Sequence, residues 1–122
     1  IDAPIYQNSR NSVIDSKGKD SVSHFHPIKN FLMDDESASL VEVAIETGRT
    51  HQIRVHAKHA GHPVAQDDKY GDNSFDQLMK KKGLNRLFLH AKSIVFTNPI
   101  TNEIQKVTAP LPNDLEEFLN KL

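Results

Sequence analysis

The sequence predicts an α+β fold, in which a largely antiparallel mixed sheet is combined with short helices. One observation is the alternation of Val41, Val43 and Ile45 with residues that are acidic or small, which is the period of a half-buried strand. Another is that the apolar spacing elsewhere is helical only over short stretches. With 122 residues, 37% of them apolar and 25% charged, the composition is that of one globular domain.

The first half of the chain is expected to be mostly strand. Residues 1–21 have polar turn composition and little periodicity, so they are predicted to be poorly organised, as a mobile or partly extended segment. Residues 22–32 are strand-like, with Pro27 as a bulge or edge position. An acidic turn, 34–37, then leads into a strand over 40–47.

The next stretch predicts a sharp turn followed by a short helix. Gly48 is expected to supply the turn and Thr50 to cap the helix with its hydroxyl. Gly61 and Pro63 end the helix. The predicted buried side of this helix consists of Ile53, Ala57 and Ala60.

The second half of the chain alternates helix and strand. Residues 74–82 are predicted as a helix that Ser74 caps and Gly83 ends. Residues 87–97 are apolar on both faces, as in a central strand, and 104–108 are the returning partner after a turn. A last helix opens at a capping box, in which Asn113 is followed three residues later by Glu116, and its predicted buried stripe is Leu115, Phe118, Leu119 and Leu122.

The turn before the first helix gathers positive charge and is the candidate functional site. Arg49, His51 and Arg54 cluster around the positive end of the helix dipole. Such a cluster repels itself unless a phosphate or a carboxylate lies against it. The formal net charge of the chain is only −1, so any contact with nucleic acid must come from a local patch.

Two further groups of residues allow alternative interpretations. The basic run is either the solvated end of a helix or a continuation of a phosphate-binding groove; it consists of Lys80, Lys81, Lys82, Arg86 and Lys92. Four histidines fall within 51–62, and imidazoles at helical spacing can bind zinc. Their spacing is poor for this, and no carboxylate is in register with them. Core histidines are therefore favoured and no metal is predicted.

Composition excludes several classes of protein. The chain has no cysteine, so it has neither disulfides nor thiolate metal sites. No apolar run approaches transmembrane length and no signal-peptide pattern is present, so a cytoplasmic protein without a membrane partner is expected. The chain begins with Ile1, which suggests a piece of something longer.

Several motifs, in order, resemble the RluA-type pseudouridine synthases. The resemblance covers roughly residues 17–122 and tilts toward the RluC branch, which modifies large-subunit ribosomal RNA. The motifs are Thr47-Gly48-Arg49-Thr50-His51-Gln52-Ile53-Arg54-Val55-His56, Gly61-His62-Pro63, Asp68-Lys69-Tyr70-Gly71, Arg86-Leu87-Phe88-Leu89-His90-Ala91, Asn98-Pro99 and Ala109-Pro110-Leu111-Pro112. The resemblance implies that the 122 residues are the C-terminal portion of a single catalytic domain.

The family's chemistry, as the resemblance implies it, needs no cofactor. The enzyme breaks the N-glycosidic bond of a uridine flipped out of the RNA, turns the base and rejoins it through carbon. The central aspartate belongs to an Arg-Leu-Asp motif that this chain does not contain. Asp67 and Asp68 belong to a later region and are not substitutes for it, and Gln66 stands where the family usually has glycine. The fragment alone is therefore expected to be inactive.

The resemblance also implies roles for individual residues. Arg54 forms an ion pair with the absent catalytic aspartate and keeps it ionised. Ile53 and Leu89 either wall the uracil pocket or belong to the ordinary core. The residues expected to hold the turn or to contact ribosomal RNA are Arg49, Thr50, His51, Gln52 and Lys69. The alternatives are a non-catalytic RNA-binding module and, more distantly, a histidine-based metal enzyme.

Overall fold

The protein is described here by a computed structural model that covers residues 1–8, 10–33 and 36–122. Within these residues the elements combine antiparallel strand pairs with short helices, which confirms the predicted α+β class. In chain order they are β1 (Ile5–Gln7), β2 (Ser12–Ile14), β3 (Ser23–Met33), β4 (Glu36–Ile45), α1 (Gln52–His59), α2 (Asn73–Lys81), β5 (Ser93–Thr97), β6 (Ile104–Thr108) and α3 (Asn113–Asn120).

The strands that the structure describes do not join into one sheet. Among the described residues they form three two-stranded antiparallel sheets, β1–β2, β3–β4 and β5–β6. The prediction of a single largely antiparallel sheet is therefore wrong in this respect. Local alternation predicts each hairpin, but it carries no information on whether one hairpin pairs with the next.

The β3–β4 hairpin is the longest element and matches the sequence pattern closely. Its register runs from Ser23 opposite Ile45 to Met33 opposite Glu36, and it shifts between Pro27 and Lys29. Proline has no amide hydrogen to donate to the ladder, so the predicted bulge at Pro27 is confirmed. β4 begins and ends earlier than the predicted 40–47. Asp34 and Asp35 of the predicted acidic turn lie outside the described residues.

Residues 1–8 and 10–21 are partly extended, the second of the two predicted alternatives, and they are paired more closely than their composition indicates. β1 pairs with β2, and single bridges join Asp2 to Val22 and Ile5 to Lys19. Ile5 is 3% exposed and Ser21 is fully buried. Strands of three residues are too short to show a period, and long-range contacts rather than local propensity hold them.

The main hydrophobic core is formed by both C-terminal helices and the end of β3. Its buried residues are Met33, Met79, Leu84, Leu115 and Phe118. Phe88 packs against this cluster, with its ring 6.2 Å from that of Phe118. A smaller cluster consists of Ile5, Val55 and Tyr70, and it joins the N-terminal hairpin to α1.

The caps of the last two helices differ from those predicted. The carboxylate of Asp72, rather than the hydroxyl of Ser74, accepts the Phe75 amide at 3.0 Å and caps α2. Gly83 follows the helix with φ +104, as expected of a terminating glycine. Pro112 is the N-cap of α3, and no side chain caps that helix, so the predicted capping box at Asn113 is wrong. Leu115 and Phe118 of the predicted stripe are buried.

The predicted central strand over 87–97 is also wrong. Only Ser93–Thr97 is strand, and every residue of β5 and β6 is exposed. An apolar run is compatible with a buried strand, but also with any other apolar surface. Here the first part of the run, at Phe88, packs against the core, and the second part, Ser93–Thr97, is one strand of the exposed β5–β6 hairpin. β6 has the predicted bounds. No helix of the described residues is long and apolar enough to cross a membrane.

Candidate functional site

The turn between β4 and α1 is held by Gln52. The Gln52 Oε1 atom accepts hydrogen bonds from the Arg49 amide at 3.0 Å and the Thr47 hydroxyl at 2.7 Å. Its Nε2 atom donates to the Val22 carbonyl and the Ser23 hydroxyl, both at 2.9 Å. A single buried amide thus ties the turn to the start of β3, which agrees with the expectation that Gln52 holds the turn.

The predicted roles of Gly48 and Thr50 in shaping the turn are wrong. His51 is the N-cap of α1, in a left-handed conformation with φ 55, and no side chain caps the helix. The Thr50 hydroxyl instead donates to Gln7 Oε1 at 2.8 Å. A Cβ at Gly48 would meet no atom within 4 Å. The left-handed residue that the turn needs is therefore the histidine, three positions after the glycine.

The buried face of α1 is polar as well as apolar. Its buried residues are Gln52, Val55, His56 and Ala57, whereas Ala60 is exposed and Ile53 is half-buried, so the predicted face is shifted. His56 lies 2.8 Å from the Ser23 hydroxyl, and its Nε2 donates to the Ala3 carbonyl at 2.9 Å. This makes His56 a core histidine. No group of three or more potential metal ligands occurs within the part of the chain that the structure describes.

The anion that faces Arg54 in this chain is Asp67. Arg54 Nε donates to Asp67 Oδ2 at 2.8 Å, and Nη2 donates to Oδ1 at 2.7 Å. The Asp67 side chain is fully buried, and that of Arg54 is 14% exposed. The exposed Asp68 approaches Nη2 at 3.5 Å. Sequence reasoning did not find this pair, although Asp67 directly precedes the Asp68-Lys69-Tyr70-Gly71 motif.

Hydrogen bonds keep Asp67 ionised despite its burial. Burial by itself raises the pKa of the carboxyl, but the Arg54 hydrogen bonds and the amides of Tyr70 and Lys69 outweigh it and lower the pKa below 3.8. Those two amides lie 3.1 and 3.0 Å from Asp67 Oδ1. The hydrogen bond to Asp67 in turn raises the pKa of Arg54. The pair is therefore charged at neutral pH.

One edge of the Arg54 guanidinium remains available. Asp67 occupies Nε and Nη2, and within residues 1–8, 10–33 and 36–122 no acceptor is within hydrogen-bond distance of Nη1. The guanidinium carbon lies 5.2 Å from the centre of the Tyr70 ring, a cation–π distance. Asp67 and Tyr70 thus fix the orientation of Arg54 and leave Nη1 for a second anion.

Tyr70 also joins His51 to the N-terminal hairpin. Its hydroxyl accepts the Ser12 amide at 3.0 Å and lies 2.9 Å from His51 Nδ1. Burial, then the positive charges of Arg54 and Lys69, lower the pKa of His51 below 6.5. The neutral imidazole is therefore favoured at pH 7, and it shares a hydrogen bond with the Tyr70 hydroxyl through Nδ1.

The predicted site residues fall into two groups in the structure. His51, Arg54 and Lys69 surround Tyr70 and Asp67, and Lys69 Nζ also donates to the Arg10 carbonyl at 3.0 Å. Arg49 and Thr50 lie on another concavity, of about 460 Å³, beside the N-terminal hairpin. Ile53 and Leu89 are half-buried and line neither this concavity nor a second one, of about 410 Å³, beside Tyr70.

The basic run does not extend this site as one free surface. Arg86 lies 3.5 Å from Asp114, and Lys92 lies 3.7 Å from Glu42, so both have acidic partners. Lys80 and Lys81 lie in the last turn of α2, where cations favour the negative end of the helix dipole.

Comparison with known proteins gives matches over the whole chain. The sequence model described as RNA pseudouridylate synthase matches residues 1–59. The chain is 44% identical to Ribosomal large subunit pseudouridine synthase C of Vibrio vulnificus over 124 residues, which is 100% of this chain and 38% of that protein. For the protein of the same name from Yersinia pestis, the identity is 46% over 98% of this chain and 38% of that protein.

The solved structure of human RNA Pseudouridylate Synthase Domain Containing 1 is similar in fold. It superposes with a TM-score of 0.73 and 30% identity, over 97% of this chain and 51% of that chain. The 122 residues therefore span about two fifths of the length of the bacterial relatives and about half of the human one.

Proposed function

Because this chain belongs to the RNA pseudouridylate synthase family, we propose that it is the C-terminal portion of a catalytic domain that converts uridines of large-subunit ribosomal RNA to pseudouridine. The observation that carries the proposal is the identity of 44%, over the full length of this chain, with Ribosomal large subunit pseudouridine synthase C of Vibrio vulnificus. A cytoplasmic location and the absence of a cofactor are part of the proposal.

In the proposed reaction the target base leaves the sugar through nitrogen and returns through carbon, so substrate and product are isomers. The aspartate that acts at the sugar belongs to the part of the enzyme outside this chain. This chain contributes Arg54, whose Nη1 has no acceptor among the described residues and is suited to donate hydrogen bonds to that aspartate as a second carboxylate. A guanidinium facing a carboxylate favours the ionised form, which is the form that the chemistry requires.

The two carboxylates then have separate tasks. Asp67 holds the Nε side of Arg54 from within a buried loop, and the catalytic aspartate meets the open side. An arginine has five N–H donors in a planar fork, so it can serve both without moving. Arg49, Thr50, His51 and Lys69 are proposed to contact the RNA around this pair.

The test is pseudouridine formation by the full-length protein that contains this chain. Transcribed 23S ribosomal RNA is incubated with the protein, and pseudouridines are mapped by carbodiimide modification and primer extension. We expect at least one new pseudouridine with the full-length protein and none with the 122-residue chain alone. RNA binding without any new pseudouridine would contradict the proposal and favour a non-catalytic RNA-binding module. Turnover by a clean preparation of the 122 residues would contradict the assignment of the aspartate to the rest of the enzyme.

A further inference from the structure

The concavity beside the N-terminal hairpin is basic and separate from the Arg54–Asp67 pair. Its cations are Lys17, Lys19 and Arg49, and none of the residues that line it is acidic. In the described part of the chain these three cations have no carboxylate within 4.0 Å. Asp15 and Asp20 belong to the same turn, so with Lys17, Lys19 and Arg49 the region carries a net charge of +1 in a chain whose formal net charge is −1, and this local excess favours an anionic ligand.

The same concavity contains an exposed aromatic ring. The alternation of β1 buries Ile5, at 3% exposure, and turns Tyr6 outward, at 45% exposure. Gln7 and Thr50 join side chains at the rim through their 2.8 Å hydrogen bond. A ring beside several cations is the combination that single-stranded nucleic acid requires, because bases stack on the ring while phosphates meet the cations.

The backbone holds this arrangement in place. Ile5 and Lys19 exchange amide and carbonyl hydrogen bonds at 2.9 Å, and the Gly18 amide donates to the Asp15 carbonyl at 2.8 Å. A Cβ at Gly18 would overlap the backbone of Ile5 and Tyr6, so only glycine permits the turn to pack so closely on β1. The backbone of Lys17 and Lys19 is therefore held beside β1, and both side chains are exposed on the same concavity as Tyr6. On the other side, Arg49 Nε donates to the Asp20 carbonyl at 3.1 Å.

We propose that this concavity binds a nucleotide of the RNA strand that flanks the target uridine, with its base on Tyr6 and its phosphates on Lys17, Lys19 and Arg49. The inference rests on the proposed function. Arg49 and Thr50 directly precede His51, the N-cap of α1, and Arg54 lies in the first turn of that helix, so the concavity and Arg54 both lie at the N-terminal end of α1. Tyr6 here stacks on a neighbouring base and has no part in the isomerisation.

The experiment uses the full-length protein and a short fluorescein-labelled oligouridylate, with binding followed by anisotropy over a series of KCl concentrations. Tyr6→Ala is expected to weaken binding about 5- to 160-fold, as loss of a stacked base does, and Tyr6→Phe is expected to bind as wild type. Leu32→Ala is the control for loss of an exposed apolar side chain, since Leu32 is 86% exposed in β3. The double variant Lys17→Gln/Lys19→Gln should reduce the slope of log K against log[KCl] by about 1.4, because each phosphate contact with a single strand contributes ~0.7 to that slope. Lys106→Gln is the control for charge.

A second readout does not depend on affinity. An oligouridylate carrying 5-iodouridine is irradiated on the protein, and the cross-linked peptide is identified by mass spectrometry. We expect the cross-link at Tyr6. If the cross-link maps elsewhere and Tyr6→Ala and the double lysine variant bind as wild type, the inference is wrong, whatever the enzyme does. If these variants bind as expected but the wild type forms no pseudouridine in 23S ribosomal RNA, the subsite stands and the proposed function fails.

Discussion

Replacing Asp67 with asparagine tests the structure of the Arg54 pair without changing the size of the side chain. The amide oxygen can take the place of Oδ1 and still accept the amides of Lys69 and Tyr70. The amide nitrogen then stands where Oδ2 accepts Arg54 Nε at 2.8 Å, so that two donors face each other. The variant therefore removes the charge and one good hydrogen bond, and leaves Arg54 half-paired in a site with little access to water.

The magnitude follows from the burial of the two partners. The Asp67 side chain is fully buried and that of Arg54 is 14% exposed, so water replaces little of what is lost. Breaking a buried pair costs about 3–5 kcal/mol of unfolding free energy. Asp68, 3.5 Å from Nη2, offsets part of the loss. We expect Asp67→Asn to cost about 3 kcal/mol, at the lower end of that range.

Asp68→Asn is the matched control. The Asp68 side chain is 90% exposed and approaches the same guanidinium, so its loss is expected to cost under about 1 kcal/mol. The assay is urea unfolding of the protein followed by circular dichroism, for the wild type and both variants. Equal destabilisation by the two variants, or a loss under about 1 kcal/mol for Asp67→Asn, would refute the account of the pair.

The pH dependence supplies a second check on Asp67. Its pKa is lowered from 3.8 in the folded state, so its contribution to stability is fully present above that value. The contribution is lost as the pH falls below 3.8 toward the folded-state pKa. The gap in stability between wild type and Asp67→Asn should therefore be largest near neutral pH and shrink in acid.

Three further predictions follow from the structure. Gly71→Ala should cost about 1–3 kcal/mol because its Cβ would overlap the Asp67 carbonyl and lie 2.7 Å from Asp76 Oδ2, whereas Gly48→Ala, with no atom within 4 Å, should be tolerated in the same urea series. The 122-residue chain should self-associate in analytical ultracentrifugation, since exposed apolar side chains crowd the β5–β6 hairpin; a monomer at high concentration would contradict this. In an NMR titration His51 should protonate below pH 6.5, and the fold should lose stability as the pH falls below 6.5, because burial and the charges of Arg54 and Lys69 lower the folded-state pKa; a value above 6.5 would contradict this placement of His51.

The sequence predicted best those elements whose signal is local. The alternation of β4 and the bulge at Pro27 both appear in the structure, and β6 has the predicted bounds. The N-terminal hairpin was missed because its stability comes from residues far along the chain, such as the Tyr70 hydroxyl that binds the Ser12 amide 58 positions away. A contact between residues so far apart produces no periodic pattern in the sequence from which the hairpin could be predicted.

For the candidate site, the sequence predicted which residues take part better than it predicted the contacts they make. The need of Arg54 for an anion was evident from its charge, but the choice of Asp67 depends on a loop that folds back thirteen positions later. Gln52 was expected to help hold the turn, yet only the structure shows that it does so by accepting the Arg49 amide, and that Thr50 does not cap the helix. Arg49 and Arg54 are five positions apart in sequence, but Arg49 lines the concavity beside the N-terminal hairpin while Arg54 pairs with Asp67, and a charge count cannot separate these two environments.

The most direct test of the account is the single-turnover rate of pseudouridine formation on saturating 23S ribosomal RNA, measured for Arg54→Ala and Arg49→Ala in the full-length enzyme. Loss of Arg54 leaves the catalytic aspartate without its counter-charge, raises its pKa and makes the reactive anion scarce. If loss of the counter-charge raises the activation free energy by about 3–5 kcal/mol, the range for breaking a buried ion pair, the rate falls by more than about 100-fold.

Arg54→Lys and Arg49→Ala separate the role of charge in catalysis from a role in RNA binding. Arg54→Lys should recover part of the rate, since it restores charge without the planar fork. Arg49→Ala should weaken RNA binding and its salt dependence while keeping most of the rate at saturation. The folded fraction of each variant is measured alongside. Near-normal turnover by folded Arg54→Ala, or loss of chemistry in Arg49→Ala, would contradict the account.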